Sequence, residues 1–340
     1  MKNKKNDLKS NKIINIVGKR SYPEAFQGNL RKKYYYEGWY NKIIDKNQDF
    51  IYAFIPTIAI NKKANKSHAF IQILNGKTGN TNYVKYELGQ FENLALDDFD
   101  IRIGNNFFSS KGFKLNINQD KVKIQGLIEY FKPVLWPKTF FQPGIMGILT
   151  YFPFLETYHS IVSMNHSLKG SVNFNGKIID FNGGKGYLEK DWGTSFPKAY
   201  IWAQTNHFSS PELSFILSIA LVPFFKIRVK GFFCVIWRQG TFYKFATYTG
   251  AKITLLETTS GRIKIKIEDR KLSLLILINK KNLRFSKLKA PISGMMSTDI
   301  IETMNSEIKI KLHDKKNNKL ILEDMGKNAG LDLSNIELLL

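Results

Sequence analysis

RIKIKI, residues 262–267, places Ile263, Ile265 and Ile267 on one side of an extended chain and Arg262, Lys264 and Lys266 on the other. Extended backbone points successive side chains to opposite faces, so period two marks a strand with one dry and one wet face. The pattern returns at Ile308, Ile310 and Leu312 in IKIKL, in KVKIQG (121–126) and in VNFNGKIIDF (172–181). Turn signals separate such runs: NGKTGN (75–80), NFNGK (173–177), FNGGKG (181–186), RQGT (238–241) and TSGR (259–262). They recur every ~10–20 residues, the spacing of antiparallel hairpins rather than of βαβ units. The sequence predicts an all-β protein.

Composition sets the outer limits. With 340 residues, 43% hydrophobic and 14% aromatic, the chain has enough apolar material for one large domain or two ordinary ones. The aromatic content suits sheets or an apolar cavity. The net charge of +23 coincides with heavy use of Lys, Asn and Ile, as an AT-rich genome imposes. The charge is also concentrated: residues 1–33 hold ten Lys/Arg against two acids, and 226–289 hold sixteen against three. Such segments suit anionic lipid head groups, nucleic acid or acidic ligands, or are simply solvated strand faces. No nucleic-acid recognition motif accompanies them, so no nucleic-acid partner is expected. The single cysteine, Cys234 in GFFCVIW, permits no disulfide within the chain and reads as a buried thiol. The first residues lack a secretory apolar core, and no run approaches the length of a spanning helix. A cytoplasmic protein is expected, with peripheral contact to an anionic membrane left open.

Three parts are expected: a basic segment 1–28, a first β half 29–185 and a second β half 186–340. Tyr36-Glu37-Gly38-Trp39 and Tyr187-Leu188-Glu189 with Trp192 each join an aromatic, a Glu and a Trp, and each opens a series of strands. That reads as a duplication with its boundary near 182–190. Within the first half, WPKTFFQPGIMGILTYFPFLETYH (136–159) is apolar yet broken by Pro137, Pro143 and Pro153, so neither a long helix nor a central strand fits. It plugs a barrel mouth, lies on a membrane, or packs between domains.

Polar side chains inside apolar strands point to the chemistry, because burying them without a partner is costly. In YIWAQTNHF, Trp202, Gln204 and Asn206 share a face, so two amides beside an indole line a pocket or form a ladder to neighbouring backbone. His68 and Gln72 share a face in HAFIQI. Glu156, His159 and His166 follow the apolar loop and can exchange protons at neutral pH; their spacing fits no compact metal motif, and no metal is expected. Glu189 and Asp191 face one way on a strand, where apolar walls would keep one protonated, unless Lys190 or an arginine pairs with them. No phosphate loop, nucleophile elbow or dinucleotide fingerprint occurs, so no cofactor is expected.

Four motifs together carry a family resemblance. Y-Y-E-G-W-Y at Tyr35 to Tyr40, H-A-F-I-Q at His68 to Gln72, P-G-I-M-G at Pro143 to Gly147, and G-Y-L-E-K-D-W-G with W-x-Q-x-N across Gly186 to Asn206 resemble the tocopherol cyclase family. The likeness extends over roughly residues 30–340. It implies two lipocalin-like β-barrel halves, related also to carotenoid hydratases, and cofactor-free closure of a prenylated hydroquinone to a chromanol. There, protonation of an alkene gives a tertiary cation that the phenolic oxygen captures. The chain departs from the plant pattern at Asp191, where that pattern has Asn, and at His159, where it has an aromatic; a bacterial branch is closer.

On this reading Asp191 is the expected proton donor beside the apolar wall of Trp192, with Glu189 its substitute. Glu37 and His159 complete the catalytic candidates. Trp39, His68, Gln72, Glu156, His166, Trp192, Trp202, Gln204 and Asn206 are the candidate substrate contacts. Cyclisation or hydration of a hydrophobic isoprenoid substrate competes with a lipocalin-like carrier that does no chemistry. A buried, unpaired carboxyl beside an apolar cavity separates the two.

Overall fold

A computed structural model describes residues 18–119, 121–224 and 227–340 of the chain. Of the basic segment expected at 1–28, residues 1–17 lie outside the described residues. Antiparallel strands dominate the described residues, joined by turns, loops and a few short 3-10 turns.

The first sheet runs, strand beside strand, from Thr81–Glu87 through His68–Asn75, Ile51–Asn61, Tyr34–Ile44, Lys185–Gly193, Thr157–Phe174, Val122–Phe131, Gly112–Gln119, Asn106–Ser109 and Asp100–Ile103 to Phe91–Asn93. Its two end strands are joined in sequence by one 3-10 turn, Leu88–Gln90, so the sheet curls until its edges meet. The second sheet runs from Thr241–Ala246 through Ile227–Arg238, Leu213–Phe224, Tyr200–Thr205, Lys319–Ser334, Met295–Asp314 and Leu272–Asn279 to Arg262–Glu268 and Lys252–Thr258. Both are lipocalin-like antiparallel sheets, the all-β class that the alternation implies.

Local chemistry explains the hairpins. NFNGK turns through Asn175 and Gly176, and RQGT through Gln239 and Gly240, each pair with both φ angles positive. Two-residue turns of that hand match the twist of the flanking strands, and Gly and Asn adopt it at least cost. In the RIKIKI strand, Ile263, Ile265 and Ile267 are fully buried against Ile276, Ile278, Ile308 and Ile310.

The organisation differs from the expected duplication. Lys185–Gly193 belongs to the first sheet, hydrogen-bonded between Tyr34–Ile44 and Thr157–Phe174, so the chain passes between sheets at 194–199 rather than at 182–190. The two Glu/Trp motifs are therefore adjacent strands of one sheet. Glu37 lies opposite Trp192, and Trp39 opposite Lys190. The likeness in composition reflects two strands that share the same two environments, one on each face.

Each sheet encloses its own core, and a third apolar cluster joins them. Tyr40, Tyr187, Trp202 and Phe233 are among its members. Ties across this joint use buried polar groups: Lys42 Nζ donates to Gln204 Oε1 (3.1 Å) and to the Asn328 carbonyl (2.7 Å), and Asn206 Nδ2 donates to the Gly186 carbonyl (2.8 Å).

Candidate active site

Period two sorts the strand GYLEKDWG into two faces. Leu188, Lys190 and Trp192 turn into the first core, while Tyr187, Glu189 and Asp191 turn toward the second sheet. The neighbouring strand splits likewise: Tyr35, Glu37 and Trp39 face the core, and Tyr36, Gly38 and Tyr40 face out. Register then sets Gly38, Asp191 and His159 side by side across three strands. On the facing sheet a second row crosses five strands as Phe233, Ser218, Trp202, Asp332 and Glu302. Between the rows lies a cavity of about 580 Å³ whose walls are mostly apolar, a size usual for a small-molecule site.

The first row holds a charged cluster. His159 Nδ1 lies 2.7 Å from Asp191 Oδ1, and its Nε2 lies 3.1 Å from Glu189 Oε2. The second contact is the longer of the two, and both nitrogens are held at ion-pair distance from a carboxyl oxygen. Burial alone would lower the pKa of His159; the adjacent Asp191 and Glu189 carboxylates overcome it and raise it to about 10. The ring is thus an imidazolium at neutral pH. Glu189 Oε2 also accepts from Tyr187 Oη (2.5 Å) and Trp202 Nε1 (3.2 Å). His159, Glu189 and Asp191 offer three ligand atoms within 4.8 Å of one another. Each imidazole nitrogen of His159 faces one of the two carboxyl groups.

The second row holds two carboxyls of the opposite character. Burial is the main cause that raises Glu302 to about 8, with Asp332 adding to it and the hydrogen bond from Tyr40 opposing. Burial likewise raises Asp332 to about 7, against the hydrogen bond from Tyr200. Tyr40 Oη donates to Glu302 Oε1, and Tyr200 Oη donates to Asp332 Oδ2 (2.9 Å). Asp332 Oδ1 is buried without a partner. An apolar cavity thus has a cationic ring clasped by two carboxylates on one wall and two carboxyls held toward the neutral form on the other.

The expected site residues divide accordingly. Asp191, Glu189, His159, Glu156, Gln72 and Trp202 line the cavity. Burial raises Glu156, and both amide atoms of Gln72 are bonded to the backbone of Lys289. Glu37, Trp39 and Trp192 lie on the wrong face of their strands, in the first core. Glu37 is fully buried in an ion pair with Lys190 and accepts hydrogen bonds from the Gln27 and Gly28 amides and from Tyr35 Oη. Gln204 and Asn206 tie the sheets together rather than line the cavity. His166 is buried beside Tyr130 and lowered to about 3 by burial, and His68 is bonded to Tyr83 Oη (2.6 Å); neither lines the cavity. Sequence reasoning missed Glu302, Asp332, Tyr36, Tyr40 and Tyr200. The signal for the first two was available: IIETMN and GLDLS set an acid among apolar neighbours within strand-like runs.

Known proteins resemble this chain in sequence and in fold. An Oryza sativa subsp. japonica protein named Probable tocopherol cyclase, chloroplastic, is 28% identical over 113 residues, which span 32% of this chain and 24% of that protein. Tocopherol cyclase, chloroplastic, of Zea mays is 33% identical over 75 residues, 22% of this chain and 16% of the maize protein. The matched stretches thus span no more than about a quarter of those relatives. In fold, the chain is similar to the solved kievitone hydratase of Nectria haematococca, with TM-score 0.50 and 13% identity over 93% of this chain and 92% of that one. CghA, solved with Sch210972, gives TM-score 0.53 and 6% identity over 89% of each chain. The Tocopherol cyclase-like family matches residues 33–334, and the chain belongs to that family.

Proposed function

We propose that this protein adds an O–H group across a carbon–carbon double bond of an apolar, prenylated quinol-type substrate, closing a ring with the substrate's own phenol or hydrating the alkene with water. The observation that carries this reading is the pair Glu302 and Asp332, carboxyls held toward the neutral form on the wall of an apolar cavity opposite the His159 cluster. A carrier has no use for such acids. A cyclase or hydratase needs a proton source at one end of the π bond and a proton acceptor at the other.

The step balances without a redox partner. A carboxyl of the Glu302/Asp332 pair gives its proton to the less substituted alkene carbon, forming a C–H bond and a tertiary cation. The faces of Trp202, Tyr36 and Tyr40 shelter that cation. A lone pair of the phenol or water oxygen closes the C–O bond, and the proton it releases passes to Asp191 beside His159. Asp191, with its side chain 30% exposed, returns that proton to solvent, and the carboxyl pair takes one up again. Asp191, the donor expected from sequence, is thus assigned to the accepting end, because it lies against a cation.

Turnover of a prenylated hydroquinone, followed by mass spectrometry in D2O, tests the reading. One C–D bond per product is expected, with Glu302→Gln and Asp332→Asn slowing turnover on the order of 100-fold or more while ligand affinity holds. Tight binding of prenylquinols and polyenes without conversion would instead make the protein a carrier.

A further inference from the structure

We propose that the proline-broken segment 137–154 and the basic residues around it form a docking surface for an anionic lipid bilayer, over which the cavity opens. That the bilayer supplies the substrate rests on the function proposed above; the docking itself does not.

The segment and the turn that follows it have two sides. Inward, Met146, Leu149 and Leu155 line the cavity. Outward, Phe140 and Phe141 are 70% and 67% exposed, set edge to face at 5.2 Å, with Ile148 and Phe152 exposed nearby on the same segment. A cluster of exposed aromatics within one segment is more than the scattered apolar residues of an ordinary surface.

These rings are held outward by fixed structure. Tyr248 Oη donates to the Ile145 carbonyl (2.6 Å) and Arg20 Nη1 to the carbonyls of Thr150 (2.6 Å) and Phe152 (3.1 Å), while within the segment Tyr151 Oη donates to the Phe140 carbonyl (2.9 Å). Lys244 Nζ donates to Gln142 Oε1 (3.1 Å). Gly147 turns at φ +58° directly over the Tyr248 ring, where a Cβ would come within 2.8 Å of a ring carbon. The backbone is thus pinned from the protein side, and the phenylalanines remain on the other.

Charge and access select the partner. Lys138 lies within the segment, Arg20 and Lys244 are bonded to it, and Lys230 lines the same cavity as Leu149 and Leu155, with Arg228 two residues before it on one strand; Glu24 is engaged by Lys138, and Glu156 lies 3.9 Å from Arg228. The exposed Lys230 and the partly exposed Leu149, Leu155 and Val229 line the cavity as well, so it opens at this surface. A protein partner seated here would cover that opening. A bilayer takes up the same rings, offers anionic head groups to the basic rim, and leaves the opening against acyl chains.

Vesicle flotation of the whole chain tests the proposal. The protein should float with phosphatidylcholine vesicles that contain phosphatidylglycerol, less so with phosphatidylcholine alone, and less as salt rises. Phe140→Ser with Phe141→Ser should weaken partition on the order of 100-fold, about tenfold per ring withdrawn. Both side chains are exposed, so an unchanged unfolding midpoint is expected of the double variant. Glu302→Gln should float like the parent, which separates docking from chemistry. The proposal is overturned if the parent stays in the aqueous phase with anionic vesicles, if the double variant floats equally well, or if the double variant abolishes self-association and leaves flotation unaltered.

Discussion

Replacing Glu302 with Gln changes how stability depends on pH, by an amount the structure fixes. The carboxyl is fully buried, and its ordinary value of 4.5 is raised to about 8, chiefly by loss of hydration. Because the folded-state value is the higher one, the native protein keeps a proton that the unfolded chain releases above pH 4.5. Stability therefore falls as pH rises from 4.5 to about 8, with a slope of about 1.4 kcal/mol per pH unit while the two states differ by one proton. Between pH 5 and pH 7 this amounts to about 2–3 kcal/mol. Gln cannot titrate, and its carbonyl oxygen can still accept the hydrogen bond from Tyr40. Urea unfolding of parent and variant at pH 5, 6 and 7 should thus show the variant gaining about 2 kcal/mol relative to the parent across the range, with unchanged m values. Asp332, raised to about 7, titrates in both proteins and cancels to first order, although its proximity couples it to Glu302. A difference that stays constant over those two pH units would show that Glu302 is ionised in the native state and would remove it as the proton source.

Other outcomes follow from the same geometry. Lys190→Met strands the buried Glu37 carboxylate and should cost about 3–5 kcal/mol in urea unfolding, much of it recovered by adding Glu37→Gln. His159 should remain doubly protonated at pH 8 in nitrogen-edited NMR; since its pKa is raised to about 10, the stability it contributes is present below 6.5 and lost as pH rises from 6.5 to about 10. His166, lowered to about 3 by burial, should appear neutral at pH 5 in the same spectrum, and its contribution is lost as pH falls from 6.5 toward 3. Gly186→Ala would push a methyl within 2.1 Å of His166 Nε2, and a drop of several degrees in thermal midpoint is expected by calorimetry, with the cavity untouched.

Much of the fold is readable because it rests on local rules. RIKIKI alternates, and its isoleucines are buried; NFNGK and RQGT carry the residues that a tight hairpin needs, and they turn. Which strand lies beside which is set by long-range pairing that composition does not encode, so a boundary drawn after residue 185 cuts off a strand, Lys185–Gly193, that pairs within the first sheet. The site was legible in part for the same reason. Period two correctly groups Glu189 with Asp191, but it cannot say which face of the strand meets a cavity and which a core, and Glu37, Trp39 and Trp192 fell on the other side. Glu302 and Asp332 sit about 110 and 140 residues after Asp191, within strands that read as ordinary amphipathic sheet, and only the pairing of Glu302 with Asp332 and of Asp332 with Trp202 brings them to the cavity.

The strand 185–193 performs two tasks with alternate residues. On its core face Lys190 lies over the rings of Trp39 (5.1 Å) and Trp192 (4.6 Å), pairs with Glu37, and donates to the carbonyls of Pro23 and Ala25. These contacts fasten residues 23–28 across the end of the first core and fix the height of the strand within its sheet. On the opposite face the same backbone carries Glu189 and Asp191 against His159. A shift of one residue in its pairing would exchange the faces, putting Lys190 into the cavity and both acids into an apolar core, each deprived of its partner. The buried ion pair therefore acts as a register lock for the charged cluster: only one alignment of GYLEKDWG pairs Lys190 with Glu37 and His159 with both carboxylates at once. A position with no contact to the cavity thus governs the placement of the groups that line it.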